Sequence, residues 1–147
     1  MAHFSSESLL PDTADYYHFD EQLQALADQV SQGIGVDLEC AEGNDQKLLR
    51  RVLTPTELHD VDPFQGSIPT ICIVAHFAVK EAIYKSLGPD EQLDVDFEDI
   101  ELALPPLSTL NSLAWLQIAV RLHGRPLDGR VALIVDHEWV LAVASRT

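Results

Sequence analysis

The stretch from Pro69 to Leu87 constrains this chain more than any other. It holds no glycine and no internal proline, and its apolar residues recur at helical spacing, which predicts one long helix. Gly88-Pro89 follows at once and reads as its stop, a left-handed glycine and then a residue that cannot continue the helix. Val79, Ala82, Ile83, Ser86 and Leu87 form the expected buried side. Phe77, Glu81 and Lys85 recur at intervals of four and make a second stripe, flanked by Lys80. A helix of this length with an apolar side needs a surface to pack on.

The last third of the chain offers one. Phe97–Leu104 and Ala114–His123 read as strands, and Val131–Val135 with Trp139–Ala144 reads as a hairpin turned around Asp136-His137. Leu116, Ile118, Val120 and Leu122 alternate with Gln117, Ala119 and Arg121, so one face of that segment is expected to be buried. Upstream, Leu23, Leu26, Ala27 and Val30 predict an amphipathic helix over Glu21–Ser31, with Asp20 as N-cap and Gly33 as stop. Thr54-Pro55-Thr56-Glu57 is a capping-box start with proline at the first helical position, and Asp62-Pro63 and Gln65-Gly66 end that helix early. The expected class is α+β, a long helix packed on a small antiparallel sheet. Residues 1–19 read as a flexible arm and 20–147 as a single domain, because 147 residues with 46% apolar content suffice for one core.

Composition excludes several function classes. A formal net charge of −15 argues against sequence-independent nucleic-acid binding and disfavours anionic membranes, since both need clustered Lys and Arg. Apolar runs such as Ile71–Ala75 fall far short of the roughly 20 residues of a membrane span. No basic stretch followed by an apolar run marks a signal peptide, so the expected location is the cytoplasm. The two cysteines, Cys40 and Cys72, lack metal-ligand spacing. Cys72 reads as a small buried hydrophobe, and Cys40 receives no role. Of only three lysines, Lys80 and Lys85 fall within six residues of each other, a concentration that calls for a local reason.

Ile34-Gly35-Val36-Asp37-Leu38-Glu39 alternates at the period of a half-buried strand. Ile34, Val36 and Leu38 are expected to face the core, with Asp37 and Glu39 presented together on the other side beside an open Gly35. Paired carboxylates repel unless a cation lies between them, and hard oxygen ligands select Mg²⁺ or a similar ion. Glu81, one turn from Lys85, suits the same chemistry as a third metal ligand beside a phosphate-neutralising ammonium. Taken singly, each half has a plainer reading, a solvated acidic edge strand and an exposed ion pair of about 0.3–0.5 kcal/mol.

Taken together, Gly35-Val36-Asp37-Leu38-Glu39 and Phe77-Ala78-Val79-Lys80-Glu81-Ala82-Ile83-Tyr84-Lys85 resemble the paired signature of the 4′-phosphopantetheinyl transferases. That signature is a Gly-x-Asp strand and an aromatic-x-x-Lys-Glu-x-x-x-Lys helix. Arg51–Leu58 is similar to the family's segment between the two, and Gly129-Arg130-Val131 and Trp139–Ala144 are similar to its closing strands. Glu39 matches the surfactin- and enterobactin-type branch, which has a second acid at that position.

The resemblance implies Mg²⁺-dependent transfer of the 4′-phosphopantetheine arm of coenzyme A to a serine of an apo acyl or peptidyl carrier protein, with release of 3′,5′-ADP. It implies that Asp37, Glu39 and Glu81 hold Mg²⁺ and that Lys80 and Lys85 contact the coenzyme A phosphates. Glu81 and Lys85 would be the catalytic pair, one helping to deprotonate the serine and one stabilising charge on the transferring phosphoryl group. His76 adjoins Phe77 and could reach the same cleft, although a helix-surface histidine is the plainer reading. Arg50 and Arg51 are a candidate docking patch for an acidic carrier. Surfactin-type members hold coenzyme A between two similar halves, and this chain has room for one. The resemblance therefore implies a homo-oligomer, dimer or trimer, or else a catalytically inactive relative that binds coenzyme A or a carrier.

Overall fold

Two apolar strands, β6 (Gly129–Asp136) and β7 (Trp139–Arg146), form the hairpin on which the rest of the chain assembles. The computed structural model describes residues 13–28, 33–43, 50–62 and 68–146. Pairing runs from Gly129↔Arg146 to Asp136↔Trp139, so the two-residue turn is His137-Glu138, one position later than expected. His137 takes φ 55 there, as a tight hairpin turn requires. β1 (Ile34–Cys40) pairs antiparallel with the free side of β7, and β3 (Trp115–Leu116) pairs with β6. The order is β1-β7-β6-β3, which leaves β1 at an edge.

Strand alternation gives this sheet two apolar faces. Val131, Leu133, Val140, Ala142 and Ala144 pack with Val74, Ala75, Ala78, Val79, Ala82 and Ile83 of the long helix. Ala132, Ile134, Leu141 and Val143, joined by Leu38, pack on the opposite face with Phe19 and Leu26 of helix α1 (Thr13–Ala27). That helix begins at Thr13 rather than Glu21, inside the stretch expected to be an arm. The apolar stripe runs back from Leu26 and Leu23 to Phe19, which is buried. Residues 1–12 and the expected helix end at 29–32 lie outside the described residues.

Helix α2 (Pro55–Val61) starts as the sequence predicts. Thr54 Oγ1 accepts from the Glu57 amide at 3.1 Å, and the Glu57 carboxylate accepts from the Thr54 amide at 2.9 Å. The expected long helix is α3 (Thr70–Ser86). It is buried almost all round, well beyond the single side expected. Gly88 has φ −68 and is no left-handed stop. Gly88-Pro89 opens a short turn, α4 (Pro89–Gln92), in which the Glu91 carboxylate accepts from the Gly88 amide.

The two remaining strand expectations need correction. Phe97–Leu104 divides into a 3₁₀ turn, Phe97–Asp99, and a short strand, β2 (Ile100–Leu102), before Pro105-Pro106. Ala114–His123 splits between two sheets: β3 joins β6, while β4 (Val120–Leu122) pairs with β2 and with β5 (Arg125–Pro126). The alternation is present, but its two ends find different partners. Ile100, Leu102, Val120 and Leu122 of the second sheet close the core around α3.

Candidate metal and phosphate site

Gly35 decides how closely β1 can approach α3. A Cβ placed there would stand 1.9 Å from the Ala82 carbonyl oxygen and 2.8 Å from the Ser86 nitrogen, so only glycine fits. The Gly35-Asp37-Glu39 face, expected to be open, is therefore the face turned onto the helix. Asp37 is 1% exposed. Its Oδ1 accepts from Lys85 Nζ at 2.8 Å, and the same ammonium donates to the Val36 carbonyl at 3.1 Å. Among the described residues, Asp37 Oδ2 is buried with no hydrogen-bond partner.

The neighbouring acids respond to this enclosure. Glu39 is pushed up to about 8, first by burial, then by the adjacent Asp37 carboxylate and the charge of Glu81. Burial and the acidic neighbours thus favour the protonated form of Glu39. Glu81 is also pushed up, by burial and then by the charge of Asp37, with Lys85 opposing. Three carboxyl groups and one ammonium thus form a single electrostatic cluster.

An orphaned buried oxygen, hard donors and a surplus of negative charge are what a divalent cation would satisfy. Asp37, Glu39 and Glu81 fit that group by chemistry. Their ligand atoms are spaced more widely than a shared ion needs: among the described residues, the one trio within 4.8 Å of one another is Cys40, Glu42 and Glu138, at the far end of β1. Mutual repulsion of the acids and the claim of Lys85 on Asp37 account for the wider spacing.

The model of the 4′-phosphopantetheinyl transferase superfamily matches residues 33–144, the region that contains every one of these groups. The chain belongs to that superfamily. A holo-[acyl-carrier-protein] synthase of Pediococcus pentosaceus is 31% identical over 75 residues, covering 48% of this chain and 64% of the relative. Among solved structures, the holo-[acyl-carrier-protein] synthase of Thermotoga maritima aligns with a TM-score of 0.52 at 20% identity, over 78% of this chain and 64% of that one. The holo-ACP-synthase of Plasmodium yoelii aligns with a TM-score of 0.54 at 22% identity, over 76% of this chain and 91% of that one. These neighbours share the α+β transferase fold.

Not every residue of the superfamily signature points into the acid cluster. Lys80, expected at a coenzyme A phosphate, is fully buried instead. Its ammonium donates to Glu57 Oε1 at 2.6 Å, the Val52 carbonyl at 2.6 Å and the Phe97 carbonyl at 3.2 Å. Three donors meet three acceptors, which leaves none for a phosphate. Phe77 leaves the Glu81-Lys85 stripe as well, and packs edge-on against Phe97, as does Tyr84. His76 is neither on the surface nor in the cleft. It is buried, its Nδ1 donates to the Cys72 carbonyl at 2.8 Å, and burial holds its pKa low. It lines a separate cavity of about 520 Å³ with Asp60, Val61, Cys72 and Leu104.

Glu57 is the residue that the sequence reading missed. Beyond capping its own helix and pairing with Lys80, its Oε2 accepts from the Leu102 amide at 2.8 Å. The available signal was a lysine amid Ala78, Val79, Ala82 and Ile83, which no solvated helix face explains. Cys72 is half-buried against Leu53, Ile68 and Ile73, in keeping with its expected role. Arg51 is exposed at the 3₁₀ turn Arg50–Val52. No helix among the described residues is long and apolar enough to cross a membrane.

Proposed function

We propose that the chain transfers the 4′-phosphopantetheine arm of coenzyme A to a serine of an apo carrier protein. One observation carries this reading: the Lys85–Asp37 ion pair joins the two halves of the signature, 48 residues apart, into one cluster. The chain spans 64% of the length of the Pediococcus relative, so activity, substrates and partners are inferred for this chain on its own.

In this reading the serine Oγ attacks the phosphorus that bears the pantetheine arm, the bond from that phosphorus to the bridging oxygen breaks, and 3′,5′-ADP leaves. Glu81, whose pKa is raised by burial and by Asp37, accepts the serine proton directly or through water. Lys85 keeps Asp37 in place with one N–H and turns its remaining donor capacity toward a phosphate oxygen. Asp37, Glu39 and Glu81 would hold Mg²⁺, which supplies charge neutralisation at the pyrophosphate. β1 is an edge strand, so a second copy of the chain would complete the cleft, consistent with a dimer or trimer. Arg51 supports docking of an acidic carrier, and the reading places the protein in the cytoplasm with the carrier-dependent synthases of fatty acids, polyketides or nonribosomal peptides.

The test is a mass shift. Protein, coenzyme A, Mg²⁺ and a panel of apo acyl and peptidyl carriers should yield carriers heavier by one phosphopantetheine, and Glu81→Gln and Asp37→Ala should abolish that gain while the fold persists. No gain on any carrier, beside a working control enzyme, overturns the reading. The burial of Lys80 away from the acid cluster favours a second reading, a non-catalytic protein that binds coenzyme A or a carrier. It predicts Mg²⁺-dependent thermal stabilisation by coenzyme A without turnover.

A further inference from the structure

We infer that Glu57 and Lys80 are a positioning pair that fixes the rotation of α3 and thereby aims Glu81 at Asp37 and Glu39. The inference rests on the transferase reading for the role of Glu81. It deepens that reading by moving Lys80 out of ligand contact and giving Glu57 a part in the site.

The argument starts from the face that α3 turns to the sheet. Ala75, Ala78 and Ala82 are each 0% exposed, and Ala82 lies against Gly35. Small side chains permit a close approach, but they interdigitate little. Val74, Val79 and Ile83 flank that line and pack on the sheet, but the alanine–glycine line itself, where β1 meets the helix, supplies few of the ridges and grooves that resist rotation or sliding. Directional bonds on the other side of α3 add to that resistance.

Lys80 Nζ is held by three acceptors from three segments: the Val52 carbonyl before α2, the Glu57 carboxylate within α2, and the Phe97 carbonyl before β2. Glu57 is itself held by the Thr54 and Leu102 amides, so it cannot follow the lysine if the helix turns. The backbone of Lys80 is thus pinned from outside, and Glu81 is the next residue. A rotation of α3 that moved Glu81 away from β1 would break the Lys80 bonds, and both partners are 0% exposed. Stranding either charge of a buried pair is strongly destabilising, so rotation of α3 is opposed at this point. The pair also passes information along the chain, because it makes α2 and β2 part of the frame that holds the acid cluster.

The deciding variant is Glu57→Gln with Lys80→Met. It removes both charges at near-constant volume, which buried pairs commonly tolerate. Either substitution alone strands a buried charge and is expected to unfold the protein or to lower its melting point severely. Two readouts are taken on wild type, the double variant and Glu57→Asp, which keeps the charge but shortens its reach. The first is affinity for Mn²⁺ alone, followed by water-proton relaxation. The second is steady-state transfer, separated into kcat and KM for coenzyme A.

The double variant should melt cooperatively near the wild-type temperature and bind Mn²⁺ about fivefold or more weakly. Its kcat should fall about tenfold, with KM for coenzyme A within about twofold of wild type. Glu57→Asp should lie between the two. A folded double variant with wild-type Mn²⁺ affinity and kcat overturns the positioning role. So does a rise in KM at constant kcat, which would return Lys80 to direct ligand contact. The Mn²⁺ measurement needs no turnover: a wild-type chain that binds Mn²⁺ but transfers nothing refutes the proposed activity and still leaves the positioning role to be decided. A wild-type chain that binds no Mn²⁺ overturns the positioning role together with the metal assignment.

Discussion

At Glu39 burial, an acidic neighbour on its own strand and an acid from the facing helix all act against ionisation, and the result is a pKa of about 8 in place of 4.5. The sign of the stability effect follows. Between those two values the unfolded chain has released a proton that the folded chain keeps, so stability falls as pH rises through the window and levels off above it. Melting temperatures in the presence of a chelator, from about pH 5 to about pH 8.5, should decline for wild type and stay flatter for Glu39→Gln. Parallel curves would show that Glu39 ionises normally. Gly35 is the second residue with a sharp expectation. A methyl group there collides with the Ala82 carbonyl, so Gly35→Ala should lower unfolding stability by about 3 kcal/mol or prevent folding. A urea midpoint close to wild type would mean that β1 does not lie where it is described.

Among the elements, those whose signals are local were legible in the sequence. The cap of α2 depends on Thr54 and Glu57, three residues apart, and both reciprocal bonds are present. Thr54→Ala should cost about 1 kcal/mol for the cap. It should cost somewhat more in total, because Thr54 Oγ1 also donates to Glu101 at 2.9 Å. A denaturation midpoint unchanged by that substitution would deny the cap any energetic role. The limits of α3 were legible to within a residue or so, although Gly88 is not the left-handed stop expected there. Ala114–His123 was not, because its alternation says that a face is buried without saying against which sheet. Neither was Lys80: its counter-charge lies 23 residues upstream, and only the folded path of the chain brings it close. The acid cluster was legible as a set of residue types, whereas the burial of Asp37 and its bond to Lys85 required the Gly35 contact, which no periodicity reports.

For the molecule as a whole, the net charge of −15 bears on its encounters more than on its fold. If the carrier is acidic, long-range repulsion should slow association. The kcat/KM for carrier should then rise as salt is raised from about 10 mM, where the screening length is about 30 Å, to about 150 mM, where it is about 8 Å. A fall over that range would show that the basic patch at Arg51 dominates the approach. The sheet order carries one more consequence. Among the described residues β1, with Asp37 and Glu39, pairs only with β7, and Asp37 lies opposite Ala142. The loop thus closed holds about a hundred residues, and its closure entropy must be met before that pairing stabilises anything. As the chain emerges from the ribosome, the first half of the site must therefore wait for the final strand. Asp37 and Glu39, made long before β7, are seated only once that strand is in place.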